Sequence, residues 1–224
     1  ASDWVQTCAL PISDAHFAKS YIQARQIPET FHSDLYYAED FKKFVESLNL
    51  EKEGLKEDDP RLVIPFYDED KNLVAFQGRA LGESKLRYIT LKTDKDNTKV
   101  FGLDRINKEE TVYVVEGPID SMFLENAVAT ADSNLMAASK RFDKSKIVLV
   151  YDNEPRNKEL HNQMEKAIED HYSLVIWPEM IVEKDVNEMV LNGGFSPDEI
   201  QDIISKNTFV NLRAKAEFVN WKKV

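Results

Sequence analysis

The sequence predicts an α/β protein, a mostly parallel sheet flanked by helices, preceded by a small mixed α+β module. Two observations carry this. From residue 111 onward, three short apolar runs rich in β-branched residues (111–115, 146–151 and 174–177) alternate with helical patterns. That is the rhythm of βα units around a buried parallel sheet. Upstream of residue 111, β-rich stretches instead flank a cluster of turn residues, as antiparallel hairpins do.

In chain order, residues 14–25 place Phe17, Tyr21 and Ala24 at helical spacing, with Ser13 or Asp14 as the N-cap and Pro28 closing the segment. Residues 38–48 put Phe41, Phe44, Val45 and Leu48 on one helical face, and 51–60 form a charged connector. Residues 61–67 and 72–80 read as a hairpin around the turn at 68–71, and 87–91 as a third strand. After the strand at 111–115 comes a helix over 118–126, with Pro118 at its first turn, where a missing N–H costs nothing. A short strand (128–130), a helix (134–140) and the strand at 146–151 follow. An amphipathic helix over 157–171 carries Leu160, Met164, Ala167 and Ile168, and leads to the strand at 174–177. Ser196, Pro197 and Glu199 open the helix at 196–206 as a capping box. Residues 210–224 read as a basic amphipathic helix that either docks Phe218 on the core or meets a partner or nucleic acid.

Residues 1–13 have neither a basic start nor a long apolar stretch, so they are no signal peptide. Residues 5–12 back-translate into a string that looks like part of a common short-read sequencing adapter. Residues 1–13 therefore read as a non-native leader in which Trp4 and Cys8 carry no functional meaning, and the chain as the downstream part of something longer. The remainder divides into 14–108, 109–195 and the C-terminal helices 196–224.

The chain has 224 residues, 42 % hydrophobic and 31 % charged, an ordinary balance for a folded domain. No apolar run is long enough to span a bilayer, which argues against a membrane protein. A single cysteine excludes a disulfide framework and a multi-thiolate zinc site, and the four histidines are scattered. A net charge of −11 disfavours nucleic-acid binding by bulk charge, but allows it through a bound cation and a local basic patch.

Each predicted parallel strand ends beside acids: Glu116 and Asp120 after the first, Asp152 and Glu154 after the second, Asp185 after the third. Ligand crevices of open parallel sheets lie outside the carboxyl ends of the strands. Glu116, Asp152, Glu154 and Asp185 are therefore expected to converge, and carboxylates that close need a cation. All-oxygen ligands select Mg²⁺ or Mn²⁺, the pair of ions that serves phosphoryl transfer. Gly117 is expected to let the chain turn tightly, and Asp120 to cap its own helix or hold a metal-bound water. Taken singly, each acid also reads as a solvated strand end or a helix cap.

The wording E-G-P-I-D (116–120) followed by D-N-E (152–154) resembles the Toprim domain of topoisomerases and primases, whose first Glu and D-x-D bind metal. Here Glu154 stands at the second Asp. K-D-V-N-E (184–188) is similar to a late segment of bacterial primases. Residues 61–66, 74–79, 87–90 and 101–104 are similar in order to the motifs R-x-x-F-P-I, G-F-G-G-R, K-Y-x-N and L-Y-G-L of the bacterial primase core, with Thr90 replacing Asn, and 21–27 resembles its opening Y-L-x-x-R-G-I. E-G-P-I-D-S and D-N-E-P-R-N resemble the primases of T-even-type phages in particular. The resemblance implies a Toprim catalytic domain over 109–195 and RNA primer synthesis with Mg²⁺ or Mn²⁺ on single-stranded DNA from ribonucleoside triphosphates. It also implies a replicative helicase as partner, action in the host cytoplasm, and contacts to template or nucleotide from Arg61, Arg79, Lys85 and Arg87. Two rivals share the metal logic: a Toprim nuclease, and a non-catalytic module binding single-stranded DNA or helicase.

Overall fold

The computed structural model describes residues 9–13, 16–131 and 134–223. Trp4, Cys8, the rest of residues 1–8 and the N-cap candidate Asp14 lie outside the described residues. The chain divides into two compact units, Ala1–Asp104 and Arg105–Val224.

The first unit is built on a five-stranded antiparallel sheet, in the order β1 (Leu10–Pro11), β2 (Tyr36–Ala38), β3 (Arg61–Tyr67), β4 (Leu73–Ala80), β5 (Tyr88–Lys92). Helices α1 (Phe17–Ala24) and α2 (Phe41–Ser47) accompany it. The expected hairpin is present, with Val63 opposite Gly78 and a register irregularity at Phe66/Tyr67. Asp68 makes its turn by accepting from the backbone N–H groups of Asp70 at 3.0 Å and Asn72 at 2.8 Å. The helix expected over 38–48 begins only at Phe41, because Asp40 caps it by accepting from the Lys43 N–H at 3.1 Å. Residues 36–38, a strand that was not anticipated, pair with β3 instead. His16 caps α1, where Ser13 or Asp14 was expected. Ala9, just before β1, is buried in the core with Phe41, Phe44, Val63 and Phe76.

Gly78 is needed for space. A Cβ there would fall 2.3 Å from the Phe41 ring, which lies against β4 and packs in a cluster with Phe44 and Phe76.

The second unit holds a five-stranded sheet of β6 (Val112–Val115), β7 (Ala127–Ala129), β8 (Ile147–Leu149), β9 (Ser173–Val175) and β10 (Thr208–Phe209), in the order β10-β9-β8-β6-β7. The first four run parallel and β10 is antiparallel at the edge. The helices are α3 (Pro118–Ser121), α4 (Leu135–Ser139), α5 (Lys158–Glu169), α6 (Val186–Leu191), α7 (Pro197–Lys206) and α8 (Asn211–Trp221). Val112, Val114, Val128, Leu149, Leu174 and Val175 are buried, as continuous apolar strands of a covered parallel sheet should be.

Asn134, Asn157 and Ser196 cap α4, α5 and α7, and the Ser196–Glu199 capping box is complete. The helix expected over 118–126 stops at Ser121. Turns follow, and Asn126, with φ +49°, donates from its side chain to the carbonyls of Asn107 and Thr111 just before β7. Phe218 is buried on α8 and meets His161 of α5 edge-on at 5.9 Å, so the C-terminal helix docks on the core. Among the described residues no helix is long and apolar enough to cross a membrane.

Gly78→Ala should destabilise the chain by about 1–3 kcal/mol through the clash with Phe41. Urea titration of Gly78→Ala, Phe41→Leu and the double variant checks this. A positive coupling, with Phe41→Leu costing less in the Gly78→Ala background, is the expected result.

Candidate functional site

The chain leaves β6 for β7 on one side, then returns across to β8 on the other, so the strand order reverses between β6 and β8. Ligands of open α/β sheets bind outside the carboxyl ends of the strands at such a point. Val114 pairs with Leu149 in register. Glu116 therefore follows the end of β6 and Asp152 the end of β8, on neighbouring strands.

Glu116, Asp152 and Glu154 line one cleft of about 140 Å³, with Asn157, Glu159, Gln163 and Lys184. Burial, and then the charges of Asp120 and Glu116, push the Asp152 carboxyl up to about 8, against the pull of Lys184. The Lys184 ammonium stands 3.6 Å from Asp152 Oδ2 and 3.6 Å from Glu154 Oε1. Burial weakens that ammonium as a charge, but the two carboxylates more than offset it and hold its pKa above the usual lysine value. Asn157 caps α5 and also donates to Glu154 Oε2 at 3.2 Å, which orients that side chain.

Asp120 reaches a second helix: its Oδ1 accepts from the Asn187 N–H of α6 at 2.9 Å. Burial, then the nearby Asp185 charge, raises its carboxyl to about 7. Asp185 is the N-cap of α6, accepting from the Glu188 N–H at 2.7 Å, and is not among the residues lining the cleft. Gly117 has an ordinary φ of −93°, so no special turn requires it. Its lack of a Cβ leaves room for Asp120 Oδ2, which a Cβ there would meet at 2.3 Å, so a larger residue would have to push the Asp120 carboxyl aside.

Asn153, between the two acids, was not singled out in the sequence. Its backbone N–H donates to the Lys184 carbonyl at 2.6 Å, and its amide to the carbonyls of Ile181 and Glu183. Its Oδ1 accepts from Trp221 Nε1 at 2.9 Å. One short side chain thus ties the end of β8 to the 181–184 segment and to α8.

The donor set is all oxygen. Among the described residues, no three His, Cys, Asp or Glu side chains gather closely enough to cage an ion. Mg²⁺ does not need such a cage; it retains waters and binds through one or two carboxylates plus substrate phosphates. The Glu116–Asp152–Glu154 cleft fits that mode.

The expected basic contacts lie in the first unit. Arg61 is fully buried: it pairs with Asp59 at 2.7 Å, donates to the Gly78 carbonyl at 3.0 Å and lies over the Phe41 ring. It fastens β3 to β4 and has no face for a ligand, contrary to the expectation from its motif. Arg79 is also buried, its guanidinium 4.3 Å from the ring centre of Tyr88 and 5.5 Å from that of Tyr21. Lys85 and Arg87 are exposed on the stretch between β4 and β5.

No protein-family model matches the chain. A DNA primase of Enterobacteria phage T4 is 33 % identical over 215 residues, covering 95 % of this chain and 62 % of that protein. The chain is thus similar to a DNA primase along nearly its whole length. It spans about three fifths of the length of this phage primase. Among solved structures, the DnaG catalytic core superposes with a TM-score of 0.65 at 17 % identity, over 96 % of this chain and 77 % of that one. A DnaG primase catalytic domain bound to single-stranded DNA gives 0.61 at 14 % identity, over 91 % and 76 %. At that identity the superpositions establish a shared fold, that of the primase catalytic core.

The raised Asp152 carboxyl makes a stability test. An acid whose folded pKa lies above its unfolded value holds its proton longer in the folded chain. Stability therefore falls as pH rises from about 4 towards 8. Asp152→Asn carries no such loss. It should stabilise the metal-free chain at pH 8 by on the order of 1–3 kcal/mol and leave it unchanged below about pH 4. Urea unfolding at pH 4, 6 and 8 measures this; an Asn variant less stable than the wild type at pH 8 would contradict it.

Proposed function

We propose that this chain carries the catalytic core of a primase, which makes short RNA primers from ribonucleoside triphosphates on single-stranded DNA. The observation that carries the reading is the cleft of Glu116, Asp152 and Glu154 at the switch point between β6 and β8, in a chain similar to a phage primase along nearly its whole length. Glu116 and Asp152, with Glu154 beside them, would hold Mg²⁺ or Mn²⁺; Asp185 acts on them from α6 without lining the cleft. When bound, such an ion neutralises the charge of the triphosphate and activates the attacking 3′-hydroxyl.

The protein's own part is positional. Asp152 gives up its proton as the cation arrives, because a ligating carboxylate must be ionised. Asp120 and Gly117 set the approach of α6 to the loop after β6, which fixes the segment bearing Lys184. Lys85 and Arg87 supply exposed charge for template or nucleotide phosphates, with Arg79 held between Tyr21 and Tyr88. The single-stranded DNA in a structure of the same fold supports the template class. A replicative helicase is the partner expected of such an enzyme, acting in the cytoplasm of a phage-infected host.

Glu116→Gln should abolish metal-dependent primer synthesis from labelled ribonucleotides, by at least about 100-fold, while leaving the fold intact. Full activity in that variant would overturn the assignment of the cleft. Metal-dependent DNA cleavage without RNA synthesis would identify a nuclease instead.

A further inference from the structure

We propose that Lys184 is a positioning residue: a tethered counter-ion that holds Asp152 and Glu154 together in the metal-free cleft and yields its place to the divalent ion. The inference rests on the metal-dependent reading given above.

Three observations carry it. Lys184 is the one cationic side chain lining the cleft among the described residues, facing Glu116, Asp152, Glu154 and Glu159. Its ammonium is equidistant from two carboxylates, 3.6 Å from each. That is longer than a closed charge-assisted hydrogen bond and is the position of a shared point charge. Its backbone is clamped at both ends: its N–H donates to Glu188 Oε2 at 3.2 Å, and its carbonyl accepts from the Asn153 N–H at 2.6 Å. The stem therefore starts from a fixed point, while the flexible four-carbon chain lets the head swing away.

An ammonium and a divalent ion repel each other across a few ångströms, so both cannot rest on the Asp152 carboxylate that each would use. The ion would therefore displace the Lys184 head from Asp152, which the flexible side chain allows.

The test is Mn²⁺ binding to the nucleotide-free chain at fixed pH and ionic strength, read by calorimetry and by the loss of the free-ion paramagnetic signal. Lys184→Met removes the competing charge and keeps the stem. It should bind Mn²⁺ about three- to tenfold more tightly than the wild type. Lys184→Gln should do the same, and serves where the Met variant does not fold. Lys184→Arg, which restores the charge, should return the affinity to the wild-type value or below; a purely structural role predicts no such rescue. Neutral variants that bind Mn²⁺ equally or more weakly, beside a wild type that binds it, would overturn this inference alone. A wild type that takes up no Mn²⁺, either alone or with a non-hydrolysable ribonucleoside triphosphate present, would overturn both the inference and the metal-dependent function.

Discussion

The electrostatic problem at the carboxyl ends of β6 and β8 governs the second unit. A parallel pair in the register Val114–Leu149 brings the residues that follow each strand side by side. Here those residues are Glu116 and Asp152, with Glu154 close behind. Like charges in a half-buried cleft are costly. The surroundings answer in three ways: a proton held on Asp152, the Lys184 ammonium between Asp152 and Glu154, and room for a harder cation. The loops serve this arrangement. Asp120 reaches from α3 to cap α6, Asp185 caps it from within, and Asn153 pins the segment between.

The first unit meets a different constraint, the burial of a guanidinium. Arg61 is tolerated because Asp59 pairs with it and the Gly78 carbonyl and Ser84 hydroxyl each accept a further hydrogen bond from it. The same Gly78 leaves room for Phe41, whose ring covers that guanidinium. A motif that looks like a binding feature, an arginine and a glycine on adjacent strands, is here a packing unit. Arg79, one residue after Gly78, is cross-strand to Tyr88 and stacks on it.

Features written locally were legible in the sequence. The parallel strands, the hairpin and the Ser196–Glu199 capping box are set by neighbours a few residues apart, and each formed near its expected place. The grouping of Glu116, Asp152 and Glu154 was legible because strand ends of a parallel sheet share one edge. Features set by distant partners were not. β10 is only two residues long, and α6 is capped by an aspartate 67 positions away in the chain. The burial of Arg61 depends on Gly78 and Ser84, and no spacing announces it. Lys184 stood in a recognised segment, but its role appears only where the 181–184 segment folds back onto the end of β8.

Locating the ion itself tests the central claim most directly. Crystals of this chain grown with Mn²⁺ and a non-hydrolysable ribonucleoside triphosphate, measured at the manganese absorption edge, would place it without reference to activity. The expected result is an anomalous peak in the cleft, on Glu116 and Asp152 oxygens, with the Lys184 ammonium drawn off Asp152. A nucleotide-bound crystal with manganese only elsewhere, and Lys184 still between Asp152 and Glu154, would contradict it.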